Sequence, residues 1–109
     1  MIREDFHAHV YFDLSAIATA RAVREQAKQQ LAHARVSNLR EREVGPHTKP
    51  MFEVVFARDD RDRVVQWLEQ HRQGLDVLVH PVIDDEYLAH TDQALWLGQP
   101  LSLKLDTLG

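Results

Sequence analysis

His7 and His9 are separated by a single residue, in a segment that reads as a strand. On a strand, residues two apart point to one face, with their side chains about 7 Å apart, so both imidazoles can serve one ligand. Several imidazoles beside a carboxylate form a hard-to-borderline nitrogen and oxygen donor set, suited to Fe(II), Zn, Mn or Ni. Two histidines and one carboxylate with open positions are the facial triad of non-haem Fe(II) oxygenases. His80 and Glu53 are the further candidates for such a set: alternation along their own segments turns them to the same side as His7 and His9. His47 stands in a turn held by Pro46 and Pro50, and His90 in a C-terminal segment. Each is a candidate ligand, ligand partner or proton carrier, because imidazole titrates near neutrality. Tyr11 shares the face of His7 and His9 and offers a hydroxyl to a ligand oxygen. The plainer reading of the same residues is a set of half-exposed strand and loop histidines with no common task. His33 and His71 fall near predicted helix C-termini, where imidazole complements the helix dipole, and are read as structural.

The elements that must position these groups follow from periodicity. Residues 5–13 alternate, with Phe6, Ala8, Val10 and Phe12 on one face and His7, His9, Tyr11 and Asp13 on the other. Asp13 or Ser15 then caps a helix reaching about Ala34, with Ile17, Ala20, Val23, Ala27, Leu31 and Ala34 as its apolar stripe. Residues 35–44 suit a charged edge strand, and 45–50 a stiff turn. Residues 51–57 alternate again, with Phe52, Val54 and Phe56 inward and Glu53 outward. A second helix opens at Asp59 or Asp60 and closes at Gly74. Residues 75–80 form a strand ended by Pro81, with Val77 and Val79 inward and Leu78 and His80 outward.

The order βαββαβ predicts an α+β, ferredoxin-like antiparallel sheet with both helices on one face. Its first strand is central, so His7, His9, Tyr11, Glu53 and His80 share the open face. The tail from Val82 carries a possible helical turn at 84–90 and a possible extra strand at 101–105. His47 precedes the third strand and is expected at the opposite end of the sheet from His80, to be joined by a partner's sheet or by the tail.

Composition bounds the rest. The 109 residues suit a single domain, 1–109, and 44% apolar with 28% charged residues is ordinary for a globular chain. A net charge of −4 leaves no basic footprint for nucleic acid. The absence of cysteine removes disulfides, thiolate metal sites and thiol nucleophiles. No apolar run is long enough for a membrane span and the start lacks a signal-peptide layout, so a cytoplasmic protein is expected.

Four segments taken in order are similar to one family: His-Ala-His-Val-Tyr-Phe-Asp at 7–13, Gly-Pro-His at 45–47 with Met-Phe-Glu-Val at 51–54, Leu-Val-His-Pro at 78–81, and His-Thr-Asp-Gln-Ala-Leu-Trp-Leu-Gly at 90–98. Together they resemble the DOPA 4,5-dioxygenase family of the small fungal and bacterial type. The resemblance implies a ferredoxin-like dimer that cleaves a catechol, DOPA-like or caffeate-like, with non-haem Fe(II) and O₂. His7, His9, His47, His80 and His90 match the family's motif positions. Among them we assign His9 and His80 as ligands, His7 as third ligand or ligand partner, Glu53 as the carboxylate, His47 and His90 as acid and base, and Tyr11 as the group orienting substrate.

Two other readings use the same residues: a ferredoxin-like dimeric binding or assembly domain, and a Zn- or Ni-binding protein without oxygen chemistry. A homodimer is expected because Leu78, Val55 and Tyr11 would face water on the open side of an isolated four-stranded sheet. Its partner would lay the 45–50 turn over the facing sheet.

Overall fold

The computed structural model describes residues 3–108. The alternating segment forms β1 (Phe6–Tyr11), followed by a 3-10 turn at Leu14–Ala16 and helix α1 (Ile17–Gln30). A short β2 (Arg35–Val36), β3 (Met51–Phe56), a second 3-10 turn at Arg58–Asp60, α2 (Arg61–His71) and β4 (Val77–Pro81) complete the βαββαβ plan. The tail adds α3 (Glu86–Ala89) and β5 (Leu95–Leu97). The sheet order is β2-β3-β1-β4-β5, with every neighbouring pair antiparallel. β1 is central, as the ferredoxin-like plan requires.

Strand alternation decides which residues reach the core. Phe6, Ala8 and Val10 of β1, Phe52, Val54 and Phe56 of β3, and Val77 and Val79 of β4 are buried in one cluster with Ala20, Val23 and Ala27 of α1 and Val64 and Leu68 of α2. Both helices therefore cover one face, and the other carries the histidines.

Three local expectations are revised. Helix α1 ends at Gln30, four residues short of Ala34, because Leu31 leaves helical geometry at φ −105° and ψ 72° and the chain must turn to start the edge strand. Asp13 makes no side-chain cap; its carboxylate pairs with Lys49 at 3.2 Å. The edge strand expected over 35–44 is two residues with an isolated bridge at Arg40–Met51. Between them Ser37 bonds Glu53 through its backbone N–H, and its hydroxyl accepts from the Glu53 N–H, while Arg24 donates to the Ser37 carbonyl. Side-chain bonds thus replace the regular ladder.

The fifth strand is Leu95–Leu97 rather than 101–105. Leu101 and Leu103 do alternate inward, but against a turn: Lys104 N–H donates to the Pro46 carbonyl and the Thr48 hydroxyl to the Ser102 carbonyl. Gly98, at φ +84°, ends β5 where a Cβ would lie 2.5 Å from Asp76 Oδ1, the atom that accepts from Gln99 N–H.

This tail changes the status of the open face. Tyr11, Met51 and Leu78 form a second buried cluster, covered by Val44, Ala94, Trp96, Leu101 and Leu103 of the same chain. Leu78, Val55 and Tyr11, expected to face water, are at most 2% exposed. The chain's own tail and the segment before β3 thus cover Tyr11 and Leu78, which the sheet alone would leave open. The turn holding His47 likewise covers the sheet of its own chain.

Candidate functional site

β1 and β4 pair with His7 opposite His80, and β1 and β3 with His9 opposite Glu53. The ring centroids of His9 and His80 lie 5.0 Å apart at an interplanar angle of 12°, with the two Nε2 atoms 2.9 Å apart. His47 and His90 come from outside the sheet. The start of β3 is beside the end of β1, and the segment before it doubles back, so His47 reaches 4.0 Å from the His9 ring. α3 sets His90 4.1 Å from the His80 ring and 6.0 Å from His47. The expectation that His47 and His80 lie at opposite ends is thus corrected: one chain closes a ring of four imidazoles, with His7 at its edge 5.3 Å from His80. His9, His47, His80 and His90 are 3%, 4%, 6% and 9% exposed, in a cavity of about 200 Å³.

Hydrogen bonds fix several of the ring protons. A carbonyl only accepts, so His80 Nδ1–H donates to Pro81 O at 2.9 Å and His90 Nδ1–H to Glu86 O at 2.7 Å. In each ring the neutral form then leaves Nε2 as a free lone pair. His7 Nε2–H donates to Glu4 at 2.6 Å. His47 Nδ1 shares a 2.6 Å bond with the Tyr11 hydroxyl. Tyr11 is buried behind His47 and is no part of the cavity wall, so it contacts an imidazole where a contact with substrate was expected.

Burial sets the charge state. Desolvation holds the His9 pKa well below the usual imidazole value, with His47, His80, His7 and His90 adding repulsion. His47 is lowered to about 4, first by desolvation and then by His90 and His7. His80 is lowered to about 3 by desolvation, against the opposing effect of its bond to Pro81 O. Burial also raises the Tyr11 phenol, which stays protonated. These three imidazoles are neutral at neutral pH, the form that binds metals.

The donor set suits a cation on two observations. Two triads have donor atoms within 4.8 Å of one another, His7–His9–His80 and His9–His47–His90, with His9 in both. His9 Nδ1 is also buried without a hydrogen-bond partner. Because His80 Nε2 holds the lone pair, His9 must donate to it from Nε2, which strands a bare lone pair at Nδ1 facing Glu53 Oε2 at 3.9 Å. Neutral imidazoles at His9 and His80, with one His9 nitrogen left unpartnered, are a donor set that would hold a cation. The backbone carbonyls behind His80 and His90 are the partners that metal-bound imidazoles ordinarily have.

Glu53 approaches His7 Nδ1 at 3.8 Å and His9 at its Nδ1 edge, away from the edge that meets His80. The helical turn expected at 84–90 is α3. Asp85 caps α3 by accepting from Leu88 N–H at 2.9 Å, and Glu86 bonds His90 through its carbonyl and lines the cavity. Asp85 at the head of a helical turn with His90 four residues after Glu86 is the signal that identifies them.

Residues 6–107 match the model of the Dopa 4,5-dioxygenase family. An uncharacterized 21.2 kDa protein of Botryotinia fuckeliana is 32% identical over 95% of this chain and 63% of its own length. The DOPA 4,5-dioxygenase of Amanita muscaria is 26% identical over 96% of this chain and 50% of its own length. The chain thus spans between half and two thirds of these curated relatives. A crystal structure from Nostoc punctiforme, described as a "putative dioxygenase", superposes with a TM-score of 0.90 at 38% identity, covering 95% of this chain and 90% of that one. With the fold, the ordered histidine motifs and the family model in agreement, the chain belongs to the Dopa 4,5-dioxygenase family.

Proposed function

We propose that the protein is an extradiol dioxygenase that opens a catechol ring with non-haem Fe(II) and O₂. The observation that carries this reading is the closed ring of buried imidazoles around His9, whose Nδ1 is buried without a hydrogen-bond partner. A ferrous ion held there would supply Lewis acidity towards the diol and the electron transfer that makes O₂ reactive towards the ring. Both oxygen atoms enter the product, so no external reductant is needed.

The residues divide the remaining work. His9 and His80 would hold the metal through their imidazole nitrogens, with His90 or His7 as third ligand, and the Glu53 carboxylate, 3.9 Å from His9 Nδ1, would favour positive charge on that ring. His47 is the base for the phenolic proton: it is neutral, and its Nε2 faces the cavity side of the ring whose Nδ1 meets Tyr11. A phenol both donates and accepts, so the Tyr11 bond survives whichever nitrogen of His47 carries the proton. Tyr11 is thereby a positioning residue. The 200 Å³ cavity is below the range of about 300–1,000 Å³ usual for drug-sized ligands and suits a ligand of about one ring.

Anaerobic reconstitution with Fe(II), followed by oxygen uptake on a panel of catechols including DOPA and caffeate, tests the proposal. A coloured ring-opened product with at least one catechol is expected. Oxygen uptake with none of them would refute it.

A further inference from the structure

Resting on the catechol reading above, the charges at the cavity mouth select among catechols. Five imidazoles form its floor, and Val82, Ile83 and Leu108 give it an apolar rim. Glu86 is the one lining residue with a permanent charge; among the described residues no lysine or arginine lines the cavity. Cations of the flanking segments are paired with carboxylates: Lys49 with Asp13, Lys104 with Glu43, and Arg35 with Glu4 at 3.6 Å. Glu4 in turn accepts from His7. Asp84 and Asp85 flank Glu86 in sequence, and Asp85 is held on Leu88 N–H.

A diol seated on the imidazole floor leaves its ring substituent at this mouth. A substituent carboxylate there meets a carboxylate and no counter-ion, whereas an ammonium meets the exposed Glu86 as its counter-ion. The position of Glu86 is itself defined, because its carbonyl holds His90 and Asp85 caps the turn that carries it. We propose that the protein discriminates among catechols by substituent charge, taking those with a cationic side chain, with Glu86 as the specificity-determining counter-ion.

Three ring-matched probes test this: 4-(2-aminoethyl)catechol, 4-methylcatechol and 3,4-dihydroxyphenylacetate. Each is titrated anaerobically by calorimetry into the Fe(II)-loaded wild type and Glu86→Gln, and each is assayed for kcat/KM. An exposed ion pair implies an effect of about two- to fivefold. Wild type should bind the amine most tightly and the carboxylate most weakly. Glu86→Gln should weaken the amine by that factor, leave 4-methylcatechol within about 1.5-fold, and strengthen the carboxylate. Raising the salt from low to high ionic strength should narrow the wild-type preference and leave the variant unchanged. Tighter binding of the carboxylate by wild type, or an equal effect of Glu86→Gln on all three probes, overturns the charge selection while leaving catechol cleavage standing. Failure of all three probes to bind or turn over overturns both.

Discussion

At the scale of single residues, the site depends on which nitrogen of each imidazole is free. Carbonyls behind His80 and His90 hold their protons on Nδ1, leaving Nε2 for a cation, and His9 is caught between His80 and Glu53. Replacing His9 or His80 by alanine should abolish stoichiometric Fe(II) binding, measured by elemental analysis, while the circular dichroism of the fold is retained. Full metal retention in both variants would exclude them as ligands. Glu53→Gln keeps the side-chain shape, removes the negative charge beside His9, and should lower metal affinity by about 10- to 100-fold without abolishing it. The sequence revealed the open-face group because strand period alone puts His7, His9, Glu53 and His80 on one side. It did not reveal the depth of Tyr11 or the division of Glu53 from the His80 edge, since both depend on side-chain directions within a shared face.

At the scale of elements, the sheet supplies two of the four central imidazoles and irregular segments supply the other two. β1 and β4 were legible from alternation, and their pairing follows from a plan in which β1 is central. The position of His47 was not, because a turn's path over a sheet is set by tertiary bonds such as Lys104 N–H to Pro46 O. β5 was misplaced for a related reason: Leu101 and Leu103 alternate as a strand does, but their partner is a turn. α3 is four residues long, too short to persist without its cap and packing. Asp85→Ala should therefore cost about 1 kcal/mol of stability, read by thermal melting, and should also lower turnover, because His90 moves with α3. Unchanged turnover alongside a lowered Tm would show that His90 is held independently of the cap.

At the scale of the molecule, a chain of this length encloses its own site: the tail and the 45–50 turn cover the face that the sheet alone leaves open. No helix among the described residues is long and apolar enough to cross a membrane. Enclosure puts several neutral imidazoles in a dry interior, and this links stability to pH. Unfolded, each titrates near 6.5; folded, His47 is held to about 4, His80 to about 3 and His9 well below its usual value. Above about pH 6.5 neither state binds these protons and stability is complete. As pH falls below that value the unfolded chain takes protons that the native state refuses, so stability declines by about 1.4 kcal/mol per unit for each such group until the folded groups titrate. The metal-free protein should melt at clearly lower temperature at pH 5 than at pH 7.5. Equal melting temperatures would contradict the buried neutral imidazoles.

We propose that the Fe(II)-loaded protein inserts both atoms of O₂ into a catechol. The most direct measurement is turnover of the Fe(II)-loaded protein under ¹⁸O₂, with the product analysed by mass spectrometry. Ring cleavage at this site predicts a ring-opened acid-aldehyde carrying both labelled atoms, subject only to aldehyde exchange with water, and one O₂ consumed per catechol. An unlabelled quinone as the sole product would contradict it.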